Sequence, residues 1–211
     1  AAAAGAVNTL AMQHDEVVGY NTDGIGLVRD LEDRHQVKLS GIEVLVLGAG
    51  GACQGIVQPL LDAGVRKITI ANRTLAKAVE LVNHFRVLGR ETFGSETLPV
   101  SSPQSASSGQ GSHSAAIIEA LDLTQLATSS LNAQLVINST AIGLDQNAAK
   151  ALHSLPANLA KGRICYDLSY GAQAHFARWA GVHQASQAFD GLGMLVEQAA
   201  ASYAIWMAKR P

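Results

Sequence analysis

The chain has 211 residues, of which 48% are hydrophobic and 15% charged, with a formal net charge of -2. This composition predicts a globular protein with a sizeable core and excludes a disordered chain. The near-neutral charge argues against nucleic acid or an acidic membrane surface as a partner, and no apolar run approaches the roughly 20 residues that cross a bilayer. Cys53 and Cys165 stand in apolar stretches, which predicts reduced, buried thiols in a cytoplasmic protein and no disulfide or metal site.

The first predicted helix begins at residue 22, within the sequence GYNTDGIG at residues 19–26. Leu27, Val28 and Leu31 share one face of that helix, and charged residues occupy the other. The first ten residues of the chain, AAAAGAVNTL, contain neither a methionine nor a cationic leader. We therefore expect the chain to begin inside a longer protein.

From residue 42 onward, predicted strands alternate with predicted helices. A short apolar run that is rich in β-branched residues is typical of a strand buried on both faces. The predicted strands are IEVLVL (42–47), KITIA (67–71), LVIN (135–138) and RICYDL (163–168). Short connections between strand and helix imply a parallel sheet with right-handed crossovers. The Ser-, Gly- and Gln-rich residues 99–116 lack bulky apolar side chains, and we predict a mobile surface insertion there.

A glycine-rich turn follows the first of these strands, and a helix follows the turn. Its sequence, GAGGAC, contains Gly48, Ala49, Gly50, Gly51 and Ala52. Gly48 permits a tight turn, and Gly50 allows the backbone to approach a pyrophosphate at the helix N-terminus. The turn could serve only to connect the two elements. Its position between a buried strand and a helix favours nucleotide binding.

The end of the second strand distinguishes NADP from NAD. NAD sites usually place an acidic residue there to hold the ribose 2′-hydroxyl. This chain instead has ANRTLAK, with no carboxylate, and its polar residues are Asn72, Arg73, Thr74 and Lys77. A guanidinium and an ammonium beside a helix N-terminus suit a 2′-phosphate. The alternative is an ordinary helix capped by Thr74 with solvated basic residues.

Asp23 has two interpretations. Acidic residues are favoured in the first turn of any helix because they interact with its dipole. Alternatively, reduction of a ketone by hydride needs a nearby proton donor, and a lysine oriented by a carboxylate would provide one. The residues alone do not decide between these interpretations. The nearest following lysine, Lys38, lies beyond the predicted helix, and we assign it no role.

Seven motifs, in order along nearly the whole chain, resemble those of the shikimate dehydrogenase family. They are GAVNTL (5–10), GYNTDGIG (19–26), VLVLGAGGA (44–52), NRT (72–74), VINST followed by IG (136–143), YDLSY (166–170) and DGLGMLVEQAA (190–200). The resemblance implies reversible hydride transfer between NADPH and 3-dehydroshikimate, which gives shikimate in aromatic amino-acid biosynthesis.

The resemblance also implies roles for individual residues. Asn8, Asp23, Tyr170 and Gln198 would contact the substrate. Leu168, Gly191 and Met194 would border the nicotinamide. The glycine turn would hold the pyrophosphate, and Asn72 to Lys77 would hold the 2′-phosphate. The family's catalytic lysine lies upstream of the segment that matches GAVNTL, so we expect it to precede residue 1, and we expect this chain to bind NADP but to turn over shikimate poorly.

The predicted fold class is α/β, with a Rossmann-like doubly wound parallel sheet and part of a second α/β substrate domain. We predict the end of the substrate domain at residues 1–22, the NADP domain at 23–187 and a helix that returns to the substrate domain at 188–211. We expect a monomer or homodimer with a small-molecule substrate. A quinate/shikimate dehydrogenase, a relative of glutamyl-tRNA reductase and a non-catalytic NADP-binding module remain alternatives.

Overall fold

A computed structural model describes residues 4–92, 116–140, 152 and 154–207. Apart from residue 116, the predicted insertion at 99–116 lies outside these residues. The strands are β1 (Thr9–Gln13), β2 (Glu16–Tyr20), β3 (Glu43–Leu47), β4 (Lys67–Asn72), β5 (Ile117–Asp122), β6 (Leu135–Asn138), β7 (Ile164–Asp167) and β8 (Gln187–Phe189). The α-helices are α1 (Asp23–Arg29), α2 (Gly51–Asp62), α3 (Leu75–Thr92), α4 (His175–Val182) and α5 (Leu192–Met207).

Six strands form one parallel sheet in the order β5-β4-β3-β6-β7-β8. After β3, the chain adds β4 and then β5 on one side of the sheet. It then crosses to the other side of β3 and adds β6, β7 and β8 in turn. This is the doubly wound arrangement, and its switch point lies between β3 and β6. The predicted α/β Rossmann-like fold class is therefore confirmed.

The four predicted strands are present, with bounds that agree to within a residue. Sequence patterning missed the other four for a physical reason. The β1–β2 hairpin has little burial, β5 is only partly buried and β8 has three residues. None of them shows the continuous apolar run that marks a strand buried on both faces.

The central strand β3 divides its side chains between two layers of core. Val44 and Val46 face the layer that contains Leu27 of α1 and Ile56 of α2. Leu45 and Leu47 face the opposite layer, with Phe176 and Trp179 of α4 among its members. Helices therefore cover both faces of the sheet, which explains why its central strands are uniformly apolar.

Helix α1 lies between α2 and α5, and glycines permit both close approaches. A Cβ on Gly24 would clash with Pro59 and with the Gly55 carbonyl of α2. A Cβ on Gly26 would lie 2.7 Å from the Met194 carbonyl oxygen and 2.8 Å from the Gln198 backbone nitrogen of α5. The Gly-Ile-Gly spacing in NTDGIG therefore lets one short helix pack closely against two neighbours.

The apolar stripe of the last helix does not face this packing interface. Leu195, Tyr203 and Trp206 are exposed, whereas Gly193, Ala201 and Ser202 are buried. Small residues face α1 because the helices approach closely there. No helix in the described part of the chain has the length and apolar character needed to span a membrane.

Replacing Gly26 with alanine is expected to lower the free energy of unfolding by about 1–3 kcal/mol, the usual cost of overpacking a close contact. The added methyl group meets backbone atoms of α5, which cannot move away as a flexible side chain could. Urea unfolding monitored by circular dichroism provides the measurement.

The matched control is Gly181→Ala in α4, where an added Cβ meets no atom within 4 Å. Alanine is the better helix former, so this variant is expected to be as stable as the parent or slightly more stable. Equal unfolding free energies for the two variants would contradict the close-packing explanation.

Candidate functional site

The carboxyl ends of the parallel strands place several sequence motifs along one edge of the sheet. Gly48 follows β3, Asn72 ends β4 and Ser139 follows β6. Leu168 follows β7, and Asp190 follows β8. In open α/β sheets, ligands bind beyond this edge, near the switch point. Strand order therefore brings together residues that are more than a hundred positions apart in the sequence.

A cleft of about 270 Å³ opens at this edge, and we refer to it as the glycine-loop cleft. Its lining residues come from the ends of β3, β4 and β6: Gly48, Ala49, Gly50, Asn72, Arg73, Thr74, Lys77, Ser139 and Thr140. Seven of these nine were candidate cofactor residues in the sequence. Ser139 and Thr140 were missed as individual site residues, although they belong to the VINST motif.

Backbone geometry at the glycine turn follows from its residues. Gly48 adopts a φ of 104°, and a Cβ there would lie 2.7 Å from Thr140 Cγ2. The turn leads directly into the N-terminus of the 12-residue helix α2. A Cβ on Gly50 or Gly51 would meet no atom within 4 Å, so the backbone faces open space where an anion can approach. Gly51 and Ala52 lie in the first turn of α2 rather than in the wall of the cleft.

The basic side chains of the cleft are exposed at the start of α3. Arg73 and Lys77 are both exposed, and α3 begins at Leu75, directly after Thr74. The Asn72 side chain donates to the Thr74 carbonyl over 2.9 Å and so fixes the turn between strand and helix. No ion pair neutralises Arg73 or Lys77 among the described residues, which leaves both cations available to an anionic ligand.

A second group of polar residues forms where β1, α1 and α5 meet, and we refer to it as the polar cluster. Its members are Asn8, Thr9, Thr22, Asp23, Gln198 and Ser202. The Asn8 amide donates to Asp23 Oδ1 over 2.8 Å and to Gln198 Oε1 over 3.3 Å. Three predicted substrate residues, separated by up to 190 positions, therefore share one hydrogen-bond network.

Buried hydroxyl groups form hydrogen bonds to Asn8 and Gln198 on the inner side of the polar cluster. Asn8 Oδ1 accepts from the Thr22 backbone N–H over 3.0 Å and from the Thr9 hydroxyl over 2.9 Å. The Thr22 and Ser202 hydroxyl oxygens are 3.0 Å apart, and both side chains are buried. Sequence analysis missed Thr9, Thr22 and Ser202. The available signals were the NTDG motif for Thr22 and, for Ser202, its position one helical turn after Gln198.

Other candidate residues occupy the same edge but not these two groups. The Leu168 carbonyl lies against Gly191, where any Cβ would clash with it. Met194 is partly buried against the core, in the first turn of α5. Tyr170 is 48% exposed after β7, and no hydrogen bond among the described residues joins its side chain to Asn8, Asp23 or Gln198. The structure thus brings together three of the four predicted substrate residues.

A buried network connects the glycine-loop cleft with the segment after β7. Asp167 Oδ1 accepts from the Asn138 side chain and the Ser169 backbone N–H, at 3.0 and 3.1 Å. Asp167 Oδ2 accepts from the Phe176 and Ala177 backbone N–H groups at the start of α4. Burial raises the pKa of Asp167, and these N–H donors partly offset that effect. The Thr140 hydroxyl donates to Asn138 Oδ1 over 2.6 Å, so the network reaches the cleft wall.

The two cysteines are free and buried, as the sequence predicted. Burial raises the pKa of the Cys53 thiol to about 12, and that of Cys165 also to about 12. A thiol with such a pKa is not ionised near neutral pH and is therefore a poor nucleophile. Both residues serve the core rather than the site.

A doubly wound parallel sheet with a glycine turn at its switch point defines the Rossmann-like α/β class of proteins. Similarity to known sequences identifies the family within this class. Residues 30–94 match the family described as shikimate / quinate 5-dehydrogenase, and residues 191–211 match the shikimate 5′-dehydrogenase C-terminal domain. The chain belongs to the shikimate dehydrogenase family.

Curated relatives are similar in sequence to this chain along almost its entire length. It is 43% identical over 211 residues to a shikimate dehydrogenase (NADP(+)) of Alkalilimnicola ehrlichii and 36% identical over 208 residues to that of Ruthia magnifica. These matches cover 99% of this chain but 65% and 66% of the relatives. The chain therefore spans just under two thirds of the length of these proteins.

Solved structures show the same fold. An Ael1 enzyme from Pseudomonas putida has a TM-score of 0.76 at 32% identity, covering 100% of this chain and 66% of its own. A shikimate 5-dehydrogenase from Listeria monocytogenes, in complex with shikimate and NAD, has a TM-score of 0.77 at 24% identity, covering 99% of this chain and 65% of its own. The second likeness concerns the fold alone.

Replacing Asp167 with asparagine is expected to lower the free energy of unfolding by about 1–3 kcal/mol, the cost of leaving buried polar groups unsatisfied. Each Asp167 oxygen accepts from two N–H groups, so either orientation of the new amide puts its NH₂ group against donors. Chemical denaturation provides the measurement.

The control is Asp62→Asn, an exposed position whose Oδ1 accepts from Gln58 over 2.8 Å. Asparagine keeps an acceptor there, and no change beyond about 0.5 kcal/mol is expected for a surface site. A loss at Asp167 no larger than that at Asp62 would show that the buried network adds no stability.

Proposed function

We propose that the chain provides the cofactor half and part of the substrate half of an NADP-dependent oxidoreductase that interconverts 3-dehydroshikimate and shikimate. The observation that carries this proposal is the glycine-loop cleft, which is lined by Gly50 at the N-terminus of α2 and by two cations that form no ion pair with any described residue. The relatives named above are shikimate dehydrogenases that use NADP(+). The polar cluster supplies candidate groups for a polyhydroxylated substrate.

The residues of the cleft fit NADP in both charge and shape. The chain is open to solvent beside Gly50 and Gly51 at the start of α2, and a helix N-terminus presents free backbone N–H groups of the kind that bind pyrophosphate. Arg73 directly follows β4, where NAD sites usually have an acidic residue, and Lys77 lies in the first turn of α3. A planar guanidinium can donate two parallel hydrogen bonds to a 2′-phosphate. These cations therefore favour NADP over NAD.

The polar cluster fits a substrate that carries several hydroxyl groups. Asn8 is exposed, and Asp23 and Gln198 are half-buried, so a ligand can reach all three side chains. The Thr22 hydroxyl contacts the Asn8 and Gln198 side chains from the buried side, next to Ser202, and restricts their rotamers, while Asn8 in turn donates to Asp23. Such preorganised donors and acceptors recognise hydroxyl groups with little loss of conformational entropy.

NADPH, when bound, would supply a hydride to the carbonyl carbon, and the carbonyl oxygen would take up one proton from a general acid to give the alcohol. Asp23 is the ionisable member of the polar cluster, and it accepts from Asn8 on one oxygen. No ion pair joins Asp23 to a lysine or arginine among the described residues. We assign Asp23 the role of orienting the proton donor and a substrate hydroxyl.

The family description also names quinate, which differs from shikimate in its ring substitution but shares the hydroxyl pattern that the cluster would read. Quinate is therefore the alternative substrate. Comparing shikimate and quinate as ligands of the NADP-bound chain separates the two. A chain that binds NADP but neither acid would support a non-catalytic NADP-binding module instead.

Replacing Arg73 with alanine is expected to weaken NADP binding about tenfold to a hundredfold, the equivalent of one or two charge-assisted hydrogen bonds. The affinity for NAD should change by less than about threefold, because NAD lacks the 2′-phosphate. Isothermal titration calorimetry with both nucleotides provides the measurement.

Lys161→Ala serves as the control, since it removes one exposed positive charge just before β7, at the amino edge of the sheet opposite the cleft. Its NADP affinity is expected to match that of the parent at ordinary salt, where distant surface charges are screened. A parent chain that binds NAD as tightly as NADP would overturn the assignment of Arg73 and Lys77.

Replacing Asp23 with asparagine is expected to weaken shikimate binding about tenfold while leaving NADP binding unchanged. The variant keeps the size of the side chain but loses the charge that strengthens a hydrogen bond to a hydroxyl group. Shikimate is titrated into the chain saturated with NADP, with Asp62→Asn as the control. Equal loss of NADP binding would place Asp23 in the general fold rather than in a substrate site.

A further inference from the structure

A fully buried carboxylate lies where α1 ends, outside both the glycine-loop cleft and the polar cluster. Asp30 has no exposed surface, and it begins the π-helical turn Asp30–Arg34 that continues α1. Its Oδ2 accepts from the Tyr166 hydroxyl over 2.7 Å. Arg34 and His35 each approach the carboxylate to 3.4 Å. A buried charge is costly unless it is paired in this way, so its location calls for an explanation.

Tyr166 connects this carboxylate to two further elements. It is fully buried in β7, two residues before Leu168. Its hydroxyl oxygen also accepts from the Met194 backbone N–H in the first turn of α5. One hydrogen-bonded chain thus runs from the N-terminus of α5 through β7 to the end of α1.

Burial raises the pKa of Tyr166, and the hydrogen bond to Asp30 raises it further. The hydroxyl therefore keeps its proton at neutral pH and remains a donor to the carboxylate. Substitution by phenylalanine would leave the Asp30 oxygen and the Met194 N–H without these partners, and Asp30 itself has no exposed surface.

Gly193 completes the arrangement. A Cβ on this residue would clash with Asp30 Oδ1, so the first turn of α5 closes directly onto the carboxylate. Together with the contact of Gly26 against Gln198, this gives α1 and α5 two contact points about one turn apart on each helix. The rotation of α5 about its own axis is set by both.

The helix turn held by these contacts carries Met194, and Gln198 follows one turn later. Leu168 lies two residues beyond Tyr166 on β7. We propose that Asp30 and Tyr166 are positioning residues that hold the first turn of α5 against the end of β7, and so set the surface on which the nicotinamide half of the cofactor rests. This inference rests on the proposed function, because it assumes that NADP occupies the carboxyl edge of the sheet.

The test compares two probes that share one half of the cofactor. The probe 2′,5′-ADP reaches only the Arg73 and Lys77 end, whereas NADPH also reaches the nicotinamide end. For Tyr166→Phe, the dissociation constant of NADPH is expected to rise about five- to tenfold, which corresponds to one hydrogen bond. That of 2′,5′-ADP should stay within about twofold, and the fluorescence of bound NADPH should shift towards that of free NADPH.

Tyr203→Phe is the matched control, since it removes the same hydroxyl from an exposed tyrosine on α5. It is expected to bind both probes as the parent does. Unchanged NADPH affinity and fluorescence in Tyr166→Phe would overturn the inference, and so would an equal loss of both probes, which marks general destabilisation. If the parent chain binds neither probe, the proposed function itself fails.

Gly193→Ala provides a second variant in case Tyr166→Phe does not fold. It retains every polar group of the pair but displaces the first turn of α5 from Asp30. The same selective loss of NADPH binding is expected, with Gly181→Ala as the control. Parent-like NADPH fluorescence in folded Gly193→Ala would contradict the inference independently.

Discussion

The close packing of α1 against α5 is the constraint on which the rest of this site depends. Gly26 lets the two helix backbones approach, and Gly193 lets α5 close onto Asp30. Because protein interiors are densely packed, a single methyl group at either contact forces the helices apart. The distance between the helices in turn decides whether Asn8 can bond to both Asp23 and Gln198. The geometry of the polar cluster thus rests on residues that have no functional group.

The parallel sheet contributes a different kind of order. Its strands carry no proposed catalytic group within their length, and their side chains fill two layers of core. All their carboxyl ends lie at one edge, however. The order of the strands in the sheet therefore sets the order in which the candidate cofactor residues lie along that edge. The basic residues follow β4, the glycine turn follows β3, and Leu168 follows β7. An elongated dinucleotide suits such a linear arrangement.

Two buried carboxylates hold this edge together from below. Asp167 joins β6, β7 and the start of α4 through four N–H donors. Asp30 joins α1 to β7 through Tyr166, whose hydroxyl also receives the Met194 N–H of α5. Apolar packing alone tolerates small shifts between elements, whereas a buried hydrogen bond has a narrow range of length and angle. Polar groups are thus used where the relative placement of elements matters most.

Local sequence determined much of this protein. Short, mainly apolar runs predicted β3, β4, β6 and β7 within a residue, because strands buried on both faces are rich in apolar side chains. The glycine turn and the basic segment after β4 indicated a nucleotide site, since phosphate groups need free N–H groups and cations. Seven of the nine residues in the cleft wall were recognisable in this way. Family resemblance, rather than periodicity, indicated Asn8 and Gln198.

Only the tertiary structure decided which distant residues meet. No pattern within α5 distinguishes Ser202 from other small residues, and its role appears when Thr9 and Thr22 are found 2.6 and 3.0 Å from its hydroxyl. Asp30 likewise looked like one charge among several on an amphipathic helix, yet it is completely buried beneath Gly193 and Tyr166. Sequence patterns report the surroundings of a residue along its own strand or helix. Contacts across 136 to 193 positions depend on how those elements pack, which no local pattern contains.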